Sequence, residues 1–100
     1  MATIQPILTD KIVSYLDQLI YYGKVKLNGK YTDYSIHKTI VDGNILRKYI
    51  YLQSEEGIIT EAQLLSVANE VLAVKPMSIE KQDDGLVIAF EFNINVQEVN

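Results

Sequence analysis

The sequence predicts an α+β fold: an N-terminal amphipathic helix packed on a mostly antiparallel β-sheet of about five to seven strands. Three observations carry that expectation. The apolar residues of the first twenty positions recur at helical spacing. From Gly23 onward the apolar period changes to two. Turn signals, beginning with Asn28-Gly29, separate the alternating runs.

The helix comes first. Residues 1–7 read as a flexible tail with Pro6 near its end. Leu8, Ile12, Leu16, Leu19 and Ile20, with Val13, fall on one stripe, and Asp10 and Asp17 lie on the polar side. Thr9 can cap the start and Gly23 the end, which predicts a helix over about 9–22. A helix this short is marginal alone, so its stripe must pack on something.

Asn28-Gly29 is a two-residue hairpin signal. It opposes Leu27 to Lys30, Val25 to Thr32 and Gly23 to Tyr34, with Lys24 across from Asp33. The next turn is Asp42-Gly43-Asn44. A two-residue loop at Asp42-Gly43 opposes Thr39 to Leu46 and mixes the faces. A three-residue loop opposes Ile40 to Leu46, Ile36 to Ile50 and Tyr34 to Leu52, and is preferred because it gives one apolar face. The outer face then carries Val41, Thr39, His37 and Ser35 across from Ile45, Arg47, Tyr49 and Tyr51. Glu55-Glu56-Gly57 turns the chain again.

Residues 58–75 fit two structures. As a helix, Thr60 and Gln63 make a capping box and Leu64, Val67, Ala68, Val71 and Leu72 a stripe. As a hairpin, the chain bends near Val67-Ala68-Asn69. Periodicity alone favours the helix. The C-terminal run is plainer: Leu86, Ile88, Phe90, Phe92, Ile94 and Val96 alternate with other residues, a long strand with one buried face. Lys81 falls at the exposed end of the preceding turn, Gln82 to Gly85. The expected contact places Ile36, Ile50, Leu52, Ile88, Phe90 and Phe92 against Ile12, Leu16 and Leu19.

One hundred residues, 48% of them apolar, suit one domain with one core. Nine basic residues spread among thirteen acidic ones make no footprint for phosphates, so no nucleic-acid partner is expected. No apolar run approaches the roughly 20 residues of a membrane span, so no membrane partner is expected either. The absence of cysteine fits a reducing cytosol and excludes a thiol nucleophile or a Cys-containing zinc site.

Catalytic chemistry is hard to find. His37 is the single histidine. Ser35 and His37 are i, i+2 neighbours on a strand, which point the same way without converging on a substrate. Glu55-Glu56 and Asp83-Asp84 sit in turns, where carboxylates are solvated and not held across a cleft. No phosphate-cradling glycine motif occurs. No catalytic residue, cofactor or metal is therefore expected, and the chain is read as a non-enzyme.

Seven of the nine aromatics are tyrosines, side chains suited to surfaces that are wet alone and buried in a complex. Tyr15, Tyr22 and Tyr34 read as rim residues of the core. Arg47, Tyr49, Tyr51 and His37, with Val87 and Ala89 on the outer side of the last strand, form the candidate interface. Lys24 and Lys26 are positioned to blunt one sheet edge, whereas the last strand has no such guard.

The segments ILTDKIVSYLDQLI, KVKLNGKYTDYSIHKT, LRKYIYL and GIITEAQLL, with EVLAVKPMSIEKQDDGLVIAFEFNINVQEV, resemble small tail-module proteins of phages and prophages of Bacillus-like bacteria, from the baseplate and tail-fibre region. The resemblance covers residues about 5–99. It implies strands at about 58–65 and 70–75 around a tight turn, against the raw periodicity, although Ser66 to Glu70 lacks the glycine of such turns. It also implies a structural or adaptor subunit whose partners are tail or baseplate proteins or other copies. Such a subunit would be cytoplasmic before assembly into a virion or tail-like particle. The alternative is a small ligand- or cell-wall-glycan-binding module with Tyr49, Tyr51 and His37 as its platform.

Overall fold

Proline sets where the helix begins. In the computed structural model, which describes residues 3–99, α1 spans Pro6–Leu19. Pro6 is in the first turn, where its missing N–H costs nothing and its fixed φ suits the helix. The residue before it, Gln5, is extended at φ −80° and ψ 145° and makes no side-chain cap. The start expected at Thr9 is therefore corrected, and Pro6 and Ile7 are helical, not part of a tail. The tail expectation for Met1 and Ala2 lies outside the described residues. The end is corrected too. Ile20 N–H bonds to Leu16 O, and strand β1 begins at Tyr22, so Gly23 is a strand residue and not a cap. A Cβ at Gly23 would collide with Ile50 Cδ1 and lie 3.2 Å from Gln63 O. The bare backbone there lets Ile50 pack against it.

Seven strands follow among the described residues: β1 (Tyr22–Leu27), β2 (Lys30–Ser35), β3 (Lys38–Asp42), β4 (Ile45–Leu52), β5 (Gly57–Leu65), β6 (Val71–Lys81) and β7 (Leu86–Asn93). The α+β class and antiparallel pairing are as expected, but there are two sheets, not one. Their orders are β2-β1-β5-β6 and β3-β4-β7. Val25, Ile59, Ala62 and Leu64 of the first sheet share one core with Leu46, Ile50, Leu52, Ile88 and Phe90 of the second. Each sheet thus covers the other's apolar face, and little of either is left for the helix. Within α1 only Val13 is buried, with Leu16 partly so and Ile20 buried just beyond. Ile12, expected in the core, is 37% exposed, and Ile7, Leu8 and Tyr15 are more exposed still. The molecule is correspondingly long, 54 × 24 × 21 Å.

The first hairpin has the expected register, with Asn28 at φ 51° and Gly29 at φ 78° as a type I′ turn requires. The β3–β4 hairpin matches neither register considered. Asp42 pairs with Ile45 around a Gly43-Asn44 turn, with Gly43 at φ 60° as the positive-φ first residue of a type II′ turn. Ile40 therefore pairs with Arg47 on the outer face, while Thr39 and Val41 share the face of Lys48 and Leu46.

Residues 58–75 are strands, not a helix. Ser66 N–H bonds to Glu70 O and Asn69 N–H to Ser66 O, closing the turn. Asn69 takes φ 66°, the conformation for which glycine is the usual choice and asparagine the next. The last strand stops at Asn93, short of Val96, though Ile94 N–H still bonds to Asn44 O.

Two buried lysines hold the frame. Lys48 projects from β4 between Leu46 and Ile50. Its ammonium bonds to the Asp17 carboxylate of α1 and to Thr39 Oγ1 at 3.0 Å. Lys81, expected at an exposed end, is 4% exposed. Its Nζ donates to four backbone carbonyls: Gln53 at 2.7 Å, Glu55 at 2.6 Å, Gln82 at 2.8 Å and Asp84 at 2.7 Å. This knot ties the β4–β5 and β6–β7 connections together.

Candidate interface on the second sheet

Antiparallel register decides which side chains meet on a sheet face. Along β4 and β7, Arg47 is opposite Glu91, Tyr49 opposite Ala89 and Tyr51 opposite Val87. Along β3 and β4, Ile40 is opposite Arg47 and Lys38 opposite Tyr49. The even-numbered residues of β4 face the core, so these all face outward. His37 follows from a backbone bond, its N–H donating to Tyr49 O at 2.7 Å. Its ring tilts against Tyr51, centroids 5.1 Å apart. All six expected interface residues therefore lie on one surface. Tyr51 and Val87 are exposed, at 36% and 53%, while Tyr49 and Ala89 are half-buried.

The surface is pre-arranged. Arg47 Nε donates to Glu91 Oε1 at 2.7 Å, and this bond raises the guanidinium pKa further above its ordinary value. An exposed pair like this adds little stability, but it fixes where the fork points. Tyr51 lies over Gly85, where a Cβ would come within 2.6 Å of its hydroxyl oxygen. The ring is thus held between His37 and the β6–β7 turn. His37 and Tyr51 partly cover each other, so with Tyr49 they do not make three open rings. Among the described residues no group of three or more His, Asp or Glu side chains is placed to hold a metal ion.

The face ends at the rim of β7, an edge strand, with β6 the edge of the facing sheet. Because Tyr49 O points to His37, Tyr49 and Ala89 form a pair without ladder bonds, and the Ala89 backbone points outward. Lys75 of β6 reaches across: its Nζ donates to Ala89 O at 2.6 Å and sits 5.8 Å from the centroid of Phe90. The edge therefore has a lysine guard. Lys24 and Lys26, expected to guard an edge, lie on β1 inside its sheet. Glu91, Lys38 and Lys75 were missed by sequence reading. The β4–β7 register would have found Glu91, whereas Lys75 crosses between sheets and leaves no local signal.

Tyr34 is half-buried as expected, and Tyr15 is not, at 67% exposed. Burial pushes the Tyr34 phenol up to about 12, aided by the bond it donates to Glu55 Oε2 at 2.8 Å. The same bond lowers the Glu55 carboxyl pKa.

Comparison with family models, curated proteins and solved structures matched this chain to none of them. No helix among the described residues is long and apolar enough to cross a membrane.

Proposed function

We propose that this chain is a non-enzymatic structural or adaptor component of a phage or prophage tail or baseplate. It would bind its protein partner through the outer face of β3-β4-β7. The resemblance of residues about 5–99 to tail-module proteins motivates the setting. The observation that carries the binding mode is the convergence of Arg47, Tyr49, Tyr51, His37, Val87 and Ala89 on one outward surface beside an edge strand. Apolar and aromatic side chains at its centre, with Lys38, Arg47 and Glu91 around them, match the core-and-rim pattern of protein interfaces. Association would exclude water from the tyrosine rings while their hydroxyls keep hydrogen bonds.

The test is composition. Tail particles purified after induction of a lysogen carrying the gene should contain this chain in fixed proportion to known tail subunits by mass spectrometry. Its absence from intact tails would overturn the setting. Particles that retain an Arg47→Glu, Tyr51→Ala double variant at the wild-type level would overturn the face.

A further inference from the structure

A second surface, sharing none of the six interface residues, lies where three connections of the first sheet meet. Tyr21 and Tyr22 join α1 to β1, Asp33 to Ser35 end β2, and Asn69 belongs to the β5–β6 turn. Together they line an open cleft of about 370 Å³. That volume falls within the roughly 300–1,000 Å³ of small-molecule sites. The two tyrosine rings stand edge to face, centroids 6.2 Å apart at 85°. Tyr21 N–H bonds to Leu65 O at 2.8 Å, which fixes the backbone between the rings.

The polar lining is as specific as the aromatic one. Tyr22 OH donates to Asn69 Oδ1 at 2.8 Å. That bond occupies one of the two lone pairs of the amide oxygen and leaves the other, the two amide N–H groups and the phenol oxygen's lone pairs to a ligand. Ser35 adds a hydroxyl and Asp33 a carboxylate. Asn69 holds φ 66°, where glycine would be easier on the backbone. The residue present instead carries the amide that Tyr22 orients.

We propose that this cleft binds one neutral saccharide ring, which would stack a C–H face on Tyr21 or Tyr22 and exchange hydroxyl hydrogen bonds with Asn69, Ser35 and Asp33. A sugar offers what the lining needs: a flat apolar face, and rim hydroxyls that both donate and accept. Charged ligands fit less well. The Asp33 carboxylate repels an anion, and Lys24 Nζ, 3.9 Å from Asp33, opposes a cation. This site is separate from the interface proposed above, so either can fail alone.

Amide-resolved NMR titration of the full chain tests it. The probes are glucose, N-acetylglucosamine and their linear trimers, with tetramethylammonium as a cationic control. Saturable shifts at Tyr21, Tyr22, Ser35 and Asn69 with a monosaccharide or a trimer are the expected result. The trimer arm separates a single-ring site from one that reads a polymer. Tyr21→Ala should weaken binding about tenfold, equivalent to losing one stacking contact. Asn69→Gly keeps the positive-φ turn and removes the amide, and should weaken binding by a similar factor. Unchanged β4 and β7 signals verify the fold of both variants. No saturable shift with any saccharide, shifts confined to Tyr49 and Tyr51, stronger binding of tetramethylammonium, or undiminished binding by both variants would each overturn the proposal.

Discussion

The facing sheets and helix α1 both carry apolar stripes, yet only one of these surfaces is consumed by folding. Between the sheets, Val25, Ile50, Leu52, Ile59 and Leu64 are wholly inaccessible. On the helix, Val13 alone is buried, and Ile7, Leu8, Ile12 and Tyr15 stay in contact with solvent. The difference teaches that an apolar stripe predicts a buried face but not which element covers it. Two sheets with complementary faces outcompete a single short helix, because a sheet removes more apolar area from water along its whole length. The helix is then attached at one margin, by Val13, Leu16 and the Lys48–Asp17 pair.

The contrast can be broken by substitution. The largest effect belongs between the sheets: Phe90→Ala should cost about 3–5 kcal/mol in chemical denaturation. A loss under about 1 kcal/mol would mean that the sheets do not share one core. Next is Lys81→Met, which strips the donor from four carbonyls. It should cost about 3 kcal/mol, toward the upper end for a charged hydrogen-bonding group. A near-neutral result would show that water replaces the ammonium. Ile12→Ala should cost under about 1 kcal/mol, as surface substitutions do. A loss of about 2–5 kcal/mol, the range for core deletions, would return the helix stripe to the interior.

The smallest effect is alkaline. Tyr34 keeps its proton up to about 12 when folded, whereas an unfolded tyrosine releases it near 10. The folded state therefore binds more protons between those values. Its contribution is complete below pH 10 and is lost as pH rises toward 12. Tyr34→Phe should flatten that decline in a pH series of unfolding midpoints. An unchanged slope would assign the decline to other groups.

Much of this architecture was legible wherever the signal is local. Asn28-Gly29 specified both its turn and its register, and alternation from Leu86 marked β7. The Gly43-Asn44 turn was legible in principle, because glycine at the first central position is the mark of a type II′ turn. The choice of an apolar face over turn chemistry gave the wrong register there. Over residues 58–75 the strands implied by the resemblance are present, and only the periodicity misled. Of its helical stripe Leu64 is buried, whereas Val67, Val71 and Leu72 are 72%, 52% and 37% exposed, in the β5–β6 turn and at the start of edge strand β6. Apolar residues around a tight turn can thus imitate helical spacing. The outer-face residues of β4 and β7 could be grouped from the sequence because alternation assigns faces without knowing the fold. The tyrosine cleft was not, since Tyr22 and Asn69 meet only through tertiary structure.

The carbonyl ring around Lys81 has a further consequence. Four inward-pointing oxygens are the coordination that proteins often give to a free monovalent ion, which would dissociate on dilution and exchange with the medium. Here the cation is covalently part of β6. Its occupancy depends neither on ionic composition nor on concentration, only on whether β6 stays zipped to β5. The two connections should therefore stay clasped in any buffer in which that hairpin survives, and open together when its Gly57–Lys81 end frays.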